Sequence, residues 1–473
     1  MERRTIFASL AALALLGTAT GCSSGGGTNP VSSPDDVRHA YVLLGPGGTA
    51  VARAITTAGT CPAISFDGGP PVQMAVHAAA AVVPVRPTAY DAFYTQAAAF
   101  PVTTCDAAIP AGTVHATLGQ RSLPVPRRHV GKIVVIGDTG CRMKMKSTSH
   151  GQYQDCDDPA AWPFQAIAGV AASMQPDLVV HVGDFHYRET SCPAGTSCAG
   201  IDSWGFGWSS WEPDFFTAAA RLLQAAPWVV VRGDHETCDR GGQGWWRFLD
   251  PRPLHLGQNC NAAPDDWLGN YSDPYVVPLD DDLVAVILDT GSIGEPYGSA
   301  AEQSALYNQQ VQQGLALAAP WTHSLFLNHQ PILAYNSPGS DDGETPPPAK
   351  PGNELLQGVL KWIYGETLFP GTVDAVLSGH VHLAQVTGWT EGLPPTFVAG
   401  NSGTNLVSFS SYPDPKTPYT GSGFLPSTSV VKSEFGFMMM ERTASGWTVV
   451  AYDQTGKPIT TCTVVNRAVT CTG

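Results

Sequence analysis

Residues 132–140 read KIVVIGDTG, an apolar run with four β-branched residues that ends in Gly137 and Asp138. This pattern predicts a buried β-strand over 132–136 and a sharp turn at its end. Four later segments also place Asp, Tyr or His after an apolar run: GDFHY at 183–187, GDHE at 233–236, NHQP at 328–331 and GHVH at 379–382. Because strand ends are rigid, these side chains can be directed into one crevice, and their types are those that bind metal ions.

The chain between the motifs alternates between strand-like and helix-like patterns after residue 128. Further strands are predicted at 178–182, 228–232, 283–288, 324–327 and 373–377. Helices are predicted at 162–174, 214–225, 300–317 and 354–364. This alternation is typical of α/β proteins, which carry their chemistry at the carboxyl ends of strands. Residues 340–352 are rich in proline and predict a surface loop near the site.

Residues 37–127 show a different pattern, in which short alternating runs are separated by Gly and Pro. Such runs predict a small β-sandwich-like N-terminal domain, which precedes a catalytic domain at 128–473. The N-terminal region contains no cluster of catalytic residue types. We therefore expect it to have a structural or substrate-framing role.

The first residues are typical of an export signal. Arg3 and Arg4 precede an apolar run at 6–16 that is too short to span a bilayer, and small residues lead to Cys22. This segment, 1–22, resembles a bacterial lipoprotein signal, with Cys22 as the acylated N-terminus. Ordinary secretory cleavage near the same place is the alternative. Residues 23–36 predict a flexible linker, so the expected location is the cell envelope, the periplasm or the outside of the cell.

Cysteine content supports an oxidising compartment. The chain has 11 cysteines, and without Cys22 ten remain, an even number that could be fully paired. Sequence neighbours favour the pairs Cys61–Cys105, Cys141–Cys156, Cys192–Cys198, Cys238–Cys260 and Cys462–Cys471. Because sequence alone does not fix connectivity, other pairings stay open at this stage.

Charge and motif content together indicate the class of reaction. A net charge of −15 argues against a nucleic-acid partner, since such proteins display clustered Lys and Arg. Two neighbouring cations can bind a phosphoryl oxygen and activate water as a hydroxide. The combination predicts a metal-dependent hydrolase with a phosphorylated small-molecule substrate. Membrane contact is expected only through a lipid on Cys22, and the sequence does not indicate an oligomeric state.

The five motifs resemble those of calcineurin-like metallophosphoesterases, and in particular purple acid phosphatases, over residues 132–403. Members of the superfamily usually carry a histidine two residues after the first aspartate, where this chain has Gly140. Tyr187, three residues after Asp184, matches the tyrosinate ligand of the purple branch. The resemblance implies an α/β fold, namely a four-layer α/β/β/α metallophosphoesterase sandwich, preceded here by the small β-sandwich-like domain.

The resemblance also implies the ligands of a first metal. Asp138, Tyr187 and His382 would bind it, and Asp184 would bridge it to a second ion. Because a phenolate is a hard, anionic donor, Fe(III) is the expected first ion.

The second metal, expected to be Zn, Mn or Fe(II), would be bound by Asp234, His329 and His380. His235 would contact the substrate phosphate and protonate the leaving group. One position departs from the family, because GDHE replaces the usual GNHE and Asp234 therefore adds a negative charge. A less positive centre should attract phosphate dianions less strongly, which favours diesters, other metals or a slower reaction.

Three functions therefore compete at this stage. The first is an acid phosphatase-like activity on phosphomonoesters, and the second is a phosphodiesterase or nucleotide-processing activity. The third is a non-catalytic surface lipoprotein that binds metal. Retention of His235 argues against the third, since a structural metal site needs no proton donor. Arg142 and Arg188 follow two of the motifs and could either bind phosphate or pair with a carboxylate.

Overall fold

The strand predicted at 132–136 lies inside the larger of the two main β-sheets in the computed structural model, which have 11 and 7 strands. The structure describes residues 36–83, 97–147, 150–255, 257–294, 297–336, 350–390, 392–408 and 423–472. The predicted signal at 1–22, the linker up to residue 35 and most of the proline-rich loop at 340–352 lie outside these ranges.

The strands up to the first helix are β1 Val37–Leu44, β2 Ala50–Thr56, β3 Ala63–Phe66, β4 Val72–Gln73, β5 Ala75–Ala78, β6 Ala81–Val83, β7 Ala98–Phe100, β8 Thr103–Ala108, β9 Ala116–Leu118, β10 Arg121–Leu123, β11 Lys132–Ile136, β12 Met143–Ser147 and β13 His150–Tyr153. The later strands are β14 Leu178–His181, β15 Trp228–Val230, β16 Tyr275–Pro278, β17 Leu283–Ile287, β18 His323–Leu327, β19 Tyr335–Asn336, β20 Lys350–Pro351, β21 Val373–Ser378, β22 Ala384–Trp389, β23 Thr396–Ala399, β24 Pro426–Lys432, β25 Gly436–Thr443, β26 Gly446–Asp453, β27 Pro458–Val465 and β28 Ala468–Thr472.

The α-helices are α1 Phe164–Ser173, α2 Trp208–Trp211, α3 Ala218–Ala225, α4 Gly242–Gly244, α5 Asp266–Gly269, α6 Ala300–Leu317 and α7 Glu354–Tyr364. The predicted bounds of α6 and α7 are confirmed. Side-chain caps explain them, since Ser299 Oγ accepts from Glu302 N at 3.3 Å and Asn353 Oδ1 accepts from Leu356 N at 3.0 Å. The helix predicted at 214–225 is confirmed from Ala218 onward, but residues 212–217 form a π-helical segment.

Each of the two main sheets has parallel strands at its centre. The larger runs in the order β28-β27-β26-β25-β11-β14-β15-β1-β2-β8-β5, and β11, β14 and β15 pair in parallel. Its strand β11 also pairs with β25 in the antiparallel direction. The smaller runs in the order β16-β17-β18-β21-β23-β22-β24, with β17, β18, β21 and β23 parallel.

Three apolar clusters show how the layers pack. One cluster combines Val135 and Val180 of the larger sheet with Leu325 and Phe397 of the smaller, so it lies between the sheets. A second joins the other face of the larger sheet to α1 and α3, and a third joins the smaller sheet to α6 and α7. The predicted α/β/β/α order of layers is confirmed, and burial of these apolar faces drives the assembly.

The N-terminal region is β-rich, as predicted. Strands β1, β2, β8 and β5 continue the larger sheet, while β10, β9, β3 and β4 form a small sheet of their own. Strand β1 pairs in parallel with β15, with Leu43 opposite Trp228. The boundary at 127/128 stays a prediction, but the sheet itself is continuous across it.

All five predicted disulfide pairs are present, Cys61–Cys105, Cys141–Cys156, Cys192–Cys198, Cys238–Cys260 and Cys462–Cys471. This cysteine usage indicates an oxidising environment. Within the described ranges, every helix is too short or too polar to cross a membrane.

Removing residues 36–127 should prevent the remainder from folding stably, because β15 would become an edge strand and the cover over Trp228 would be lost. We expect residues 128–473 to be insoluble or to unfold at least about 10 °C below the full chain, a shift of roughly 7 kcal/mol for a fragment of this size. Soluble expression and thermal unfolding measure this. A soluble fragment with an unchanged unfolding temperature would support an independent N-terminal domain instead.

Candidate metal centre

The acidic residues come from the larger sheet. Strands β11, β14 and β15 end side by side, and the loops after them carry Asp138, Asp184 and Asp234. Asp138 N donates to Gly183 O, and Thr139 N donates to Asp184 O, both at 3.0 Å, so neighbouring loops hold each other. Asp138 and Asp184 have φ values of 55° and 59°. Non-glycine residues adopt this left-handed conformation at a cost, and such strain concentrates at functional sites.

The histidines come from the smaller sheet. His329 follows β18, whereas His380 and His382 follow β21. Gly379 N donates to His329 O at 3.0 Å, which joins the two loops, and His380 has a φ of 68°. Since the two sheets face each other, the aspartates of one lie opposite the histidines of the other.

Two groups of ligand atoms result. Asp184, Asp234, His329 and His380 each place one atom within 4.8 Å of the others. Asp234 Oδ1 lies 3.0 Å from His329 Nε2 and 2.9 Å from His380 Nδ1, and His329 Nε2 lies 3.3 Å from Asp184 Oδ2.

The second group contains Asp138, Asp184 and His382. Tyr187 points into it, because its hydroxyl oxygen lies 3.0 Å from Asp138 Oδ1, 2.7 Å from Asp184 Oδ2 and 3.1 Å from His382 Nε2. Asp184 belongs to both groups. All seven residues that the sequence predicted as metal ligands thus converge on one place.

The electrostatics of the centre require added positive charge. Burial and Asp184 hold the pKa of Asp138 well above its usual range. Burial, with Asp138 and Asp184 nearby, likewise raises the pKa of Tyr187. Burial would raise the pKa of Asp184 and Asp234, but His329 holds both below their usual range, so those two carboxylates are ionised. Asp138 and Tyr187 ionise as well only if further positive charge is supplied. The donor set therefore fits two hard or borderline metal ions and implies a dinuclear centre.

Two histidines are held in the orientation that metal binding needs. His329 Nδ1 lies 2.8 Å from Val182 O, and His382 Nδ1 lies 2.9 Å from Asn405 O. A ring nitrogen that faces a carbonyl oxygen carries the proton, so Nε2 of each ring is left to accept a metal.

Gly140 lies directly against the loop that carries Tyr187, which leaves no space for a side chain at position 140. A Cβ at Gly140 would lie 2.6 Å from Tyr187 N and 2.7 Å from Asp214 Oδ2. Tyr187 N donates to that same oxygen at 2.7 Å. The loop that carries Tyr187 and its partner Asp214 therefore occupy the space that a side chain at position 140 needs, so this loop path requires a glycine there.

Two buried carboxylates that the sequence analysis did not identify hold the ligand loops. Glu236 accepts from the backbone N of Gly233, Asp184, Phe185 and His186 at 2.8–3.3 Å. Burial and Asp184 raise the pKa of Glu236 to about 8. The only sequence signal for this role was the last letter of GDHE.

Asp214 is the second of these carboxylates. Its oxygens accept from Cys141 N at 2.7 Å and from Tyr187 N, so it ties the first motif to the second. It also pairs with Arg188 at 3.1 Å, which settles Arg188 as a structural partner rather than a phosphate ligand. The π-helical segment that carries Asp214 gave no signal in the sequence.

His235 lies at the edge of the centre, in contact with it and with three charged groups. Its ring centroid lies 3.8 Å from that of Tyr187, and its backbone N donates to Asp184 Oδ1 at 2.9 Å. Nδ1 lies 2.9 Å from Glu189 Oε1 and 2.6 Å from Arg240 Nη2, whereas Nε2 lies 3.2 Å from Arg142 Nη1. Burial, then Arg240, lowers its pKa. Sequence analysis overlooked Glu189 and Arg240, which follow the second and third motifs.

Three polar residues near the centre contact the scaffold rather than the ligand groups. His186 Nε2 contacts Ser210 Oγ at 3.0 Å. Asp289 Oδ2 accepts from Ser272 Oγ at 2.6 Å, and Asn401 Nδ2 donates to a backbone oxygen at 2.7 Å. These contacts are those of scaffold residues.

Comparison with known proteins agrees with this site. The family described as calcineurin-like phosphoesterase matches residues 131–384, more than half of the chain. A purple acid phosphatase from yellow lupin (Lupinus luteus) seeds is 14% identical with a TM-score of 0.51, covering 89% of this chain and 72% of that one. PhoD is 12% identical (TM-score 0.49; 92% and 91% covered), and the anchor protein of the Plasmodium inner membrane complex is 13% identical (0.39; 71% and 88%). No curated protein matches the chain. At these identities the lupin similarity establishes the fold alone.

Gly140→Ala should destabilise the protein by about 1–3 kcal/mol, because the new methyl group overlaps Tyr187 N. We also expect lower metal content, since Tyr187 must move. Gly358→Ala is the matched control, because nothing lies within 4 Å of a Cβ there and an added helical alanine stabilises slightly. Thermal unfolding and elemental analysis provide the readouts. Equal behaviour of the two variants would refute the steric explanation.

The Cys141–Cys156 disulfide should matter for metal retention, because Cys141 follows the first ligand loop directly and its backbone N binds Asp214. Replacing both cysteines by alanine is expected to cost about 2–4 kcal/mol and to lower the metal content. Replacing Cys462 and Cys471, which bridge the terminal hairpin β27–β28, should cost stability without loss of metal. Parallel metal loss in both double variants would contradict a local effect.

Proposed function

Since the chain belongs to the calcineurin-like phosphoesterase family, we propose that it is an exported phosphoester hydrolase with a dinuclear metal centre, acting in the manner of an acid phosphatase on phosphomonoesters. The observation that carries the proposal is that Asp184 belongs to two adjacent groups of ligand atoms. A carboxylate shared in this way is what two neighbouring cations need. The cysteine pairing supports an exported protein, with a lipid on Cys22 as the proposed anchor.

The ligands divide between two ions in this proposal. Asp138, Tyr187 and His382 would bind the first ion and Asp184 would bridge. The second ion would be bound by Asp234, His329 and His380. When bound, the pair of ions would polarise a phosphoryl oxygen and lower the pKa of a bound water. The tyrosine supports Fe(III) as the first ion, with Zn, Mn or Fe(II) as the second.

The chain itself would position the ester. His235 Nε2 and Arg142 Nη1 lie 3.2 Å apart, so a phosphoryl oxygen bound by one lies within reach of the other. Arg142 is held by Gln152 Oε1, which accepts from its Nε at 3.0 Å, and its guanidinium lies 5.1 Å from the centre of the Tyr187 ring. Burial and Arg240 lower the pKa of His235, and Glu189 Oε1 beside Nδ1 opposes that shift, so Glu189 would favour the protonated ring from which the leaving group takes its proton.

A second candidate, hydrolysis of phosphodiesters or nucleotides, is favoured by Asp234. A carboxylate where the family has an amide lowers the charge of the centre by one unit, and diesters carry one negative charge fewer than monoester dianions. Non-catalytic metal binding is the third possibility. A purely metal-binding protein would have no use for the contacts of His235 with Glu189 and Arg142, which argues against this third function.

A substrate panel tests the proposal. Purified protein with two bound metals should hydrolyse para-nitrophenyl phosphate faster than the bis ester, and Asp184→Asn should lose both metals and at least about 10²-fold in activity, as expected when a bridging ligand is removed. Asp374→Asn is the control, because Asp374 lies at the opposite end of β21 and pairs with His323. Faster diester hydrolysis would establish the second candidate. Two bound metals with neither activity would establish the third.

A further inference from the structure

Arg240 is buried against the residue that departs from the family pattern. Asp234 Oδ1 faces His329 and His380, on the metal side of the carboxylate. Asp234 Oδ2 accepts from Arg240 Nη1 at 2.9 Å, and the backbone oxygen of Asp234 accepts from the same nitrogen at 3.1 Å. One oxygen of the carboxylate is thus directed to the proposed metal and the other to a guanidinium.

We propose that Asp234 and Arg240 act as one unit, in which Arg240 offsets the charge that Asp234 adds and so helps to preserve the attraction of the centre for phosphate. This inference rests on the proposed function and assigns Arg240 as a positioning residue within it. The pair formed by Asp234 and Arg240 has no net formal charge, as an asparagine at position 234 would have none, and Arg240 shares its charge with Glu189. Arg240 therefore reduces the preference for diesters expected from Asp234 alone.

Hydrogen-bond chemistry explains why the two residues occur together. An asparagine at 234 that gave its amide oxygen to the metal would turn its NH₂ group toward Arg240. Both groups are donors only, so the contact would be repulsive. Aspartate accepts on both sides, so it can serve the metal and the arginine together. With Arg240 in place, aspartate therefore fits position 234 and asparagine does not.

Arg240 also has a second partner, which fixes its position. Glu189 Oε1 accepts from Arg240 Nε at 2.6 Å and forms an ion pair with Nη2, also at 2.6 Å. Glu189 is fully buried, and Arg240 is 6% exposed. Burial would raise the pKa of Glu189, but Arg240 and His235 hold it well below its usual range. Charge-assisted pairs in a dry environment are strong. Arg240 therefore connects the loop of the second motif to that of the third and fixes the carboxylate beside His235.

A cycle of variants tests the pair in the full-length protein. The four proteins are wild type, Arg240→Gln, Asp234→Asn and the double variant, each loaded with metal. Elemental analysis gives the metal content, and calorimetry gives the affinity for inorganic phosphate. Neither readout depends on turnover. A merely structural role of Arg240 would change stability but not phosphate affinity at constant metal content.

We expect Arg240→Gln to bind phosphate roughly tenfold more weakly, because one positive charge is lost near the anion. Arg240→Lys should retain affinity within about threefold, since it keeps the charge and loses only the fork geometry. Asp234→Asn should lose metal, because its amide faces Arg240. The double variant should recover both metal and phosphate affinity, as the repulsive contact and the charge deficit disappear together.

Loss of the arginine also leaves Glu189 buried without its cation, which could prevent folding. Glu189→Gln combined with Arg240→Gln removes that charge and should give a folded protein that binds phosphate roughly tenfold more weakly than Glu189→Gln alone, from which it differs by one positive charge. Arg53→Gln with Asp106→Asn, a buried pair at 2.7 Å in β2 and β8, is the control and should leave phosphate affinity unchanged.

Two results would overturn the inference. The first is unchanged phosphate affinity both in Arg240→Gln against wild type and in the Glu189→Gln, Arg240→Gln variant against Glu189→Gln. The second is an Asp234→Asn, Arg240→Gln variant that binds no more metal than Asp234→Asn. Wild-type protein that binds metals and phosphate but hydrolyses no ester would refute the proposed function alone, because the cycle could still be measured. Wild-type protein that binds no cation would overturn both.

Discussion

The rest of the structure depends on the mutual repulsion of anionic groups that the fold concentrates in one dry place. Asp138, Asp184 and Asp234 converge there with Tyr187, and burial makes each of their charges costly. Left-handed backbone at Asp138 and Asp184 adds local strain. Such an arrangement persists only if the surrounding structure holds it, and this explains the number of buried contacts that surround it. Glu236, Asp214 and the disulfides that follow the ligand loops all restrain backbone that would otherwise move apart.

The division of labour between the sheets follows from the same constraint. Aspartates from three neighbouring parallel strands of one sheet would repel each other if nothing faced them. The second sheet places His329, His380 and His382 opposite them, and burial of the apolar cluster between the sheets keeps the two sets together. Apolar packing thus supplies the free energy that brings the polar site together. Neither sheet contains the centre by itself.

Much of this could be predicted from the sequence because the signals were local. The buried strand 132–136 and helices α6 and α7 were found from hydrophobic periodicity, and the seven proposed ligands from motifs after apolar runs together with their resemblance to a known family. The five disulfides were found because each cysteine pairs with the next cysteine along the chain. What sequence reasoning missed depends on contacts between distant segments. The pairing of β1 with β15, the contacts of Asp214 and the contact of Arg240 with Glu189 each join residues that lie 27–185 positions apart. No local pattern in the sequence indicates such contacts.

The pairing of β11 with β25 has a consequence for how the protein matures. The strand that leads to Asp138 is flanked on one side by residues 178–181 and on the other by residues 436–443. A chain that emerges from a ribosome or a translocation pore N-terminus first therefore carries an open hydrogen-bonding edge next to its future ligands until some 300 more residues have appeared. Early capture of cations would occur on an incomplete scaffold. The scaffold beside Asp138 is thus complete only once the distal hairpin has been made.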